Sequence, residues 1–419
     1  MTLFSVRRVV STVTLLVLGA VSCGGGSDEI VEPGVEARVL PEPFPLCPRN
    51  GICTYTIHLG GSYTPDFAPL VRKFDYVIVG KNSVDDGMAD AVSPDVPVIL
   101  HDGIQLRSNF CKGQCAYEEW NVVNAHEDWF WHDTSGNRVQ VSNTELWYMD
   151  YRNPEYLDYL IDRFRRLRQQ IPALDGFFLD QNGFYEGFTR YAVPEMKPNP
   201  ISPMPTNHEY DEANIAALER VKARLGAAHI VANSNNYAPF NEPLDGTMNE
   251  GFIHNNGEDD GYFRPEAAWH EEIETLAHPS NADRFVFVFP KAKAKDVRAG
   301  HKIFRYALAS YLLGRRDDSY AFFCFETRND RLPPYYDEYD TPTGAPLGEY
   351  RRDGSGLWIR EFENGVAVVH AGGVRSPLTM PLAGKLAGSY VDWDGACHEG
   401  SLTLAPNTGE FLLRAECGP

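Results

Sequence analysis

Positive charge is scarce in this chain. Its 419 residues hold 38 lysines and arginines against 58 aspartates and glutamates, a formal net charge of −20. That excess argues against nucleic acid or an anionic membrane surface as an electrostatic partner, and it suits an exported protein that must stay soluble. Glycine-rich phosphate turns are missing as well. None follows an early strand candidate, which counts against a doubly wound nucleotide-binding sheet. The eight cysteines show no zinc-binding spacing. No apolar run is long enough to be read as a membrane span, and no long internal repeat is present.

What is there begins at the N-terminus. "MTLFSVRRVVSTVTLLVLGAVSC" has basic residues (Arg7, Arg8), a short apolar core and small residues before Cys23. This pattern predicts a signal peptide over 1–22. "AVSC" is similar to a bacterial lipobox, in which Cys23 becomes the lipidated first residue of the mature protein. The polar "GGGSDEIVEPG" then opens a flexible tether over 23–46. Ordinary secretion as a soluble protein is the alternative. Export permits disulfides, and Cys47 with Cys53, Cys111 with Cys115, and Cys397 with Cys417 would each close a short loop. Cys324, inside "YAFFCFE", reads as a buried free thiol.

From Tyr55 onward, eight short apolar runs alternate with helical patterns. The runs are "TYTIHLG", "FDYVIVG", "VPVILHD", "DGFFLDQ", "HIVANS", "DGTMNEG", "RFVFVFP" and "YAFFCFE". Several are continuously apolar, as parallel strands buried on both faces must be. In "PEYLDYLIDRFRRLRQQI", Tyr156, Leu160, Phe164 and Leu167 fall at helical spacing on one face. The pattern predicts an α/β chain with a (β/α)8 TIM barrel over 47–346. Beyond it, short strands punctuated by NG, DG and NTG turns predict a β-sandwich-like antiparallel domain over 347–419.

Barrel enzymes place their chemistry on the C-terminal ends of the strands. Asp180 ends the fourth run, Glu250 the sixth and Glu326 the eighth, while His101 and Asp102 close the third. A strand-end carboxylate aimed into a shared mouth is costly to desolvate unless it has a partner or a function. Two such groups are the minimal equipment for glycoside cleavage, one as acid and the other as base or nucleophile. Capping the following helix is the structural alternative. The loop after the third strand adds Trp120, Trp129, Phe130 and Trp131, with Trp129 and Trp131 expected to stack on sugar faces unless they pack beneath the loop. Gln181, Asn182, Asn233, Asn235 and Asn236 supply amides suited to neutral polyols. Asp150 reads equally as a substrate contact or a loop brace. His101 and His254 could bind a hydroxyl or satisfy backbone groups.

"AHEDWFWHDTSGNRV", "WYMDYRNPEYLDYLIDRF" and "LDGFFLDQNGF" together resemble the barrel glycosidases grouped as glycosyl-hydrolase-like family 15. The resemblance runs from about Tyr55 to Glu326, and the last domain is similar to those closing many barrel glycosidases. It implies a glycoside hydrolase with Asp180 as nucleophile and Glu250 as acid/base. The Cys111–Cys115 pair departs from the family pattern.

The expected protein is therefore an exported glycoside hydrolase acting on a poly- or oligosaccharide with retention of configuration. It is expected to use no cofactor or metal, to bind no nucleic acid, to work as a monomer and to meet the membrane only through its lipid. Two alternatives remain: a non-catalytic carbohydrate-binding lipoprotein on the same barrel, and a polysaccharide lyase or deacetylase. A lyase needs cations near a uronate, and Lys291 and Lys293 are the few on offer. The anchor is directly testable. Cys23→Ser should move the protein from the membrane fraction to the soluble one, and retention with an unchanged N-terminal mass would overturn lipidation.

Overall fold

A computed structural model describes residues 51–417, except 60–62, 93, 104–105, 109–116, 134, 140–145, 181–200, 203–206, 235–241, 255–261, 328–331 and 373–375. The signal, the tether, Cys23 and Cys47 lie outside the described residues, as do Cys111 and Cys115. All described residues belong to one compact unit. No helix among them is long and apolar enough to cross a membrane.

Eight strands run parallel in sequence order: β1 (Tyr55–His58), β2 (Tyr76–Val79), β3 (Val98–Gly103), β4 (Gly176–Asp180), β5 (His229–Ala232), β6 (Gly246–Glu250), β7 (Phe285–Phe289) and β8 (Tyr320–Phe323). A parallel bridge between Thr54 and Phe323 brings the first strand to the last, so the sheet is a nearly closed barrel. This is the fold that the eight apolar runs predict. Continuous apolarity has the anticipated cause, because successive residues of one strand enter different cores. Phe285, Phe287 and Phe289 point inward with Tyr55, Tyr76, Phe178 and Met248. Val286 and Val288, between them, pack outward against helices.

A repeated device ties the barrel floor. Asp75, Asp175 and Asp245 each immediately precede a strand or its opening glycine. Each carboxylate accepts a backbone N–H of the neighbouring strand: Thr54 at 2.9 Å, Val98 at 2.8 Å and Ile230 at 2.7 Å. Gly176 follows one of them because a Cβ there would lie 1.9 Å from the His229 carbonyl oxygen.

Helices α1 (Ala68–Val71), α2 (Lys81–Asp85), α3 (Met88–Ala91), α4 (Tyr117–Asn124), α5 (Pro154–Gln170), α6 (Asn207–Leu225), α7 (Glu266–Ala277) and α8 (Val297–Gly314) lie between the barrel strands. The start of α5 is specified locally. Pro154 takes the first turn, and the Asn153 side chain accepts from the N–H groups of Glu155 and Tyr156. Its buried face includes Tyr156, Leu160, Phe164 and Leu167, the four residues whose spacing predicts it.

The C-terminal strands are β9 (Arg351–Arg352), β10 (Trp358–Phe362), β11 (Gly365–His370), β12 (Leu378–Pro381), β13 (Ser389–Val391), β14 (Cys397–Glu399), β15 (Ser401–Leu404) and β16 (Thr408–Arg414). Six form a sheet in the order β9-β10-β11-β16-β13-β14, and β12 pairs with β15. One face of the sheet packs on α8 through Phe362, Ala367, Val369 and Phe411. The other packs on the β12–β15 pair through Ile359, Val366, Val368 and Leu412. Gly409 lets β16 approach α8 closely, since a Cβ there would stand 2.6 Å from that of Ala309. Cys397 and Cys417 are bonded, Cys53 is in a disulfide, and Cys324 is a buried free thiol.

Where α8 meets the sheet, Glu410 is enclosed. Arg305 donates to Glu338 and Asp394 at 2.8 Å each but stands 3.7 Å from Glu410. The second oxygen of Glu410 makes no hydrogen bond. Burial, opposed by Arg305 and aided by Asp392 and Asp394, pushes this carboxyl up to about 8 from an ordinary 4.5. The folded state therefore holds a proton that the unfolded chain gives up. The resulting stabilisation is full below the unfolded value and disappears as pH rises through the folded one. Glu410→Gln should melt within a degree or so of wild type near pH 5 and several degrees above it near pH 8, a gap of about the size that one or two kcal/mol produces. Equal melting shifts at both pH values in paired thermal scans would refute the assignment.

Candidate active site

The alternation that fills the barrel also selects which side chains reach its mouth. Counting by two from the inward residues Ile99, Phe178, Val231, Met248, Phe289 and Cys324 arrives at His101, Asp180, Asn233, Glu250, Lys291 and Glu326. The contacts match the count. Asn233 Nδ2 donates to Asp180 Oδ1 at 3.1 Å and to Glu250 Oε2 at 2.6 Å. Lys291 Nζ donates to Glu250 Oε1 at 2.5 Å. His101 stacks on Phe178 and brings Nε2 to 3.3 Å from Asp180 Oδ2, without hydrogen-bond alignment.

One amide thus serves both carboxylates. An oxygen of each carboxylate therefore lies within hydrogen-bond reach of the same nitrogen. Below them Tyr55 is fully buried, and its phenol is pushed well above its usual range by burial first, then by Cys324 and Glu250, with Tyr339 and Glu326 adding to it. Glu326 sits level with Lys291, where residues 326–327 pair with residues 291–292. His254 satisfies backbone: its Nδ1 donates to the Lys291 carbonyl oxygen at 2.8 Å.

Asp102 and the two indoles differ from the sequence expectation, and Asp150 takes one of the two roles left open to it. Asp102 has the opposite parity from His101, so it leaves the barrel outward and meets Arg163 of α5 in a charge-assisted hydrogen bond. The two side chains are only 8% and 7% exposed, which makes Asp102 a strut rather than a substrate contact. Trp129 and Trp131 are buried with Phe130, Met149, Tyr151 and Tyr156 rather than lining an open cleft. Trp129 stacks on His126, and Trp131 lies under the Arg152 guanidinium. Asp150 accepts a two-point contact from Arg152 at 2.7 and 2.6 Å, the geometry of a loop brace. Gln181, Asn182, Asn235 and Asn236 lie outside the described residues.

Paired carboxylates at the C-terminal mouth of a β/α barrel define a class, the barrel glycoside hydrolases. The comparison with known families makes this specific. Hypothetical glycosyl hydrolase family 15 matches residues 91–366, well over half of the sequence. The chain belongs to that family and is a glycoside hydrolase. Among solved structures it is similar to the maltogenic α-amylase AmyB of Thermotoga neapolitana, with a TM-score of 0.51 and 11% identity over 88% of this chain and 99% of that one. The glycoside hydrolase domain of PelA from Pseudomonas aeruginosa aligns at a TM-score of 0.41 and 11% identity, over 66% of this chain and 94% of that one. At such identity the AmyB likeness is one of fold. A search of curated protein sequences found no match.

The strut assignment has a measurable consequence. Removing one partner of a buried ion pair costs about 3–5 kcal/mol, so Asp102→Ala should lower the denaturation midpoint strongly while leaving KM for a hydrolysed glycan nearly unchanged. A raised KM with unaltered stability would return Asp102 to the substrate site.

Proposed function

We propose that the protein is an exported, lipid-anchored hydrolase of a poly- or oligosaccharide that cleaves with retention, Asp180 being the nucleophile and Glu250 the acid/base. The observation that carries this reading is the single Asn233 amide bonded to both carboxylates. Retaining enzymes hold their carboxyls roughly 5–5.5 Å apart, whereas inverting ones need about 6.5–9.5 Å to admit water between them. A shared donor draws the pair to the shorter separation.

In the first step an Asp180 oxygen bonds to the anomeric carbon while the glycosidic C–O bond breaks and Glu250 gives its proton to the leaving oxygen. In the second, Glu250 takes a proton from water, the water oxygen bonds to the same carbon, and Asp180 departs. Asn233 donates to both carboxylates, so it orients the pair without supplying a proton. His101 stands on the far side of Asp180 and limits where that carboxylate can swing.

The reading separates from a carbohydrate-binding lipoprotein by turnover. In a broad glycan screen read by reducing ends, wild type should release product. Asp180→Asn and Glu250→Gln should each lose about 10²-fold or more, because acid/base assistance alone is worth about 10²–10⁴. Binding without product would favour the non-catalytic alternative. Proton NMR of the first product should show the anomer of the substrate, and an inverted product would recast Asp180 as a base acting through water.

A further inference from the structure

The barrel interior contains two fully buried tyrosines whose hydroxyls differ in their surroundings. Tyr76 Oη shares a hydrogen bond with His229 Nδ1 at 3.2 Å. Tyr55 Oη has no hydrogen-bond partner among the described residues. An unpaired buried hydroxyl destabilises a fold, and a phenylalanine fills nearly the same space without that penalty. Phe285, Phe287, Phe289 and Phe322 do so in the same cluster. The fold therefore does not account for the Tyr55 oxygen, and its neighbours supply another reason for it. Thr54 bridges Phe323, which sets Tyr55 level with Cys324. Phe323 pairs with Val288, which sets Cys324 level with Phe289, and Phe289 pairs with Glu250. A register line that starts at the first residue of β1 thus ends at the last residue of β6, climbing the barrel as tilted strands require. The Tyr55 ring follows that climb. Its centre lies 4.9 Å from that of Phe287 and 6.1 Å from that of Phe289, and Phe289 lies under the Lys291 ammonium at 4.6 Å. Burial first, then Cys324 and Glu250, with Tyr339 and Glu326 adding to them, keep the phenol protonated. It can donate a hydrogen bond, but it cannot serve as base or nucleophile.

We propose that Tyr55 is a positioning residue of the reaction, its hydroxyl being the donor that holds Glu250 from beneath when that carboxyl turns to the sugar. This rests on Glu250 being the acid/base. Tyr55 is 0% exposed, so it acts through another group rather than on the substrate itself. At rest both Glu250 oxygens are engaged, one by Asn233 and the other by Lys291. To pass its proton to the leaving oxygen, Glu250 must offer one of those oxygens to the sugar. A donor below supplies the bond that the turn gives up. The carboxyl then keeps its place while its O–H bond breaks and the proton joins the leaving oxygen.

Tyr55→Phe removes one oxygen and leaves the ring, so a hydroxyl kept for the reaction rather than the fold predicts opposite outcomes in two measurements. The variant should melt no lower than wild type in thermal scans. With any glycan that releases reducing ends, its kcat should fall roughly 10- to 100-fold, the scale of one hydrogen bond to a charged group, while KM stays near wild type. A lower melting temperature, or failure to fold, assigns the hydroxyl to the fold, and an unchanged kcat removes it from the reaction; either overturns the proposal. A third arm needs no substrate. Protein labelled with 13C at the tyrosine Cζ atoms is observed by NMR, with Tyr55→Phe used to assign the Tyr55 signal. Glu250→Gln should displace that signal, and more than Glu326→Gln does. An unmoved signal in folded Glu250→Gln protein shows that the hydroxyl does not face that carboxyl, and the proposal falls. Because this arm requires no turnover, its failure is distinct from failure of the hydrolase reading, which falls instead if wild type releases no product from any glycan.

Discussion

Side chains alternate across a β-strand, and in a closed barrel that alternation divides the molecule into an inside and an outside. Everything at the mouth of this protein depends on it. Phe178 leads to Asp180, Met248 to Glu250 and Val231 to Asn233, each two residues beyond a ring or aliphatic group that fills the interior. The neighbours of opposite parity serve the scaffold. Asp102 meets Arg163, and Asn249 donates to Glu272 of α7 at 2.8 Å. Glu272 in turn is held by Arg264, which also braces the turn after Glu250. Polar groups that face the mouth and polar groups that brace the scaffold thus sit one residue apart on the same strand.

A mouth made this way needs rigid strand ends, and the rest of the chain supplies them. The aspartate ties on the floor hold the register from which parity is counted. The aromatic cluster after β3 packs against the start of α5 and supports the segment that leads into that helix. The terminal sheet covers α8, the helix that follows the Lys291 segment. Arg360 of β10 donates to the carbonyl oxygens of Leu312 and Leu313 at 3.3 and 3.1 Å, satisfying groups at the end of α8 that would otherwise be buried without partners. The accessory sheet is therefore tied to a barrel helix rather than strung beside it.

The aromatic loop shows where reading by residue type stops. Trp129 and Trp131 have the chemistry of a sugar platform, yet indoles are also the largest apolar groups available to fill a core. Nothing in "EDWFWHD" tells an exposed ring from a buried one. The deciding facts are the partners, Tyr156 on α5 and Met149 shortly before that helix, which arrive from about two dozen residues away or a little less. Asp150 is a similar case, since Arg152 lies two residues on in the sequence but only the turn before α5 makes the pair bidentate.

What the sequence determined by itself was local in origin. Continuous apolar runs can be satisfied only by strands buried on both faces. Helical spacing and an Asn-Pro start specify α5, and alternation beyond an apolar run specifies which strand-end residues face inward. Those three rules reach the barrel and Asp180 and Glu250 as a pair, and the NG, DG and NTG turns add the terminal antiparallel sheet. The tertiary structure alone decided that Asn233 bridges them, that Lys291 closes on Glu250, and that Asp102 is taken by Arg163. Each is a contact between elements separated by tens of residues, whose distance is set by strand order and tilt around the barrel rather than by any spacing along the chain.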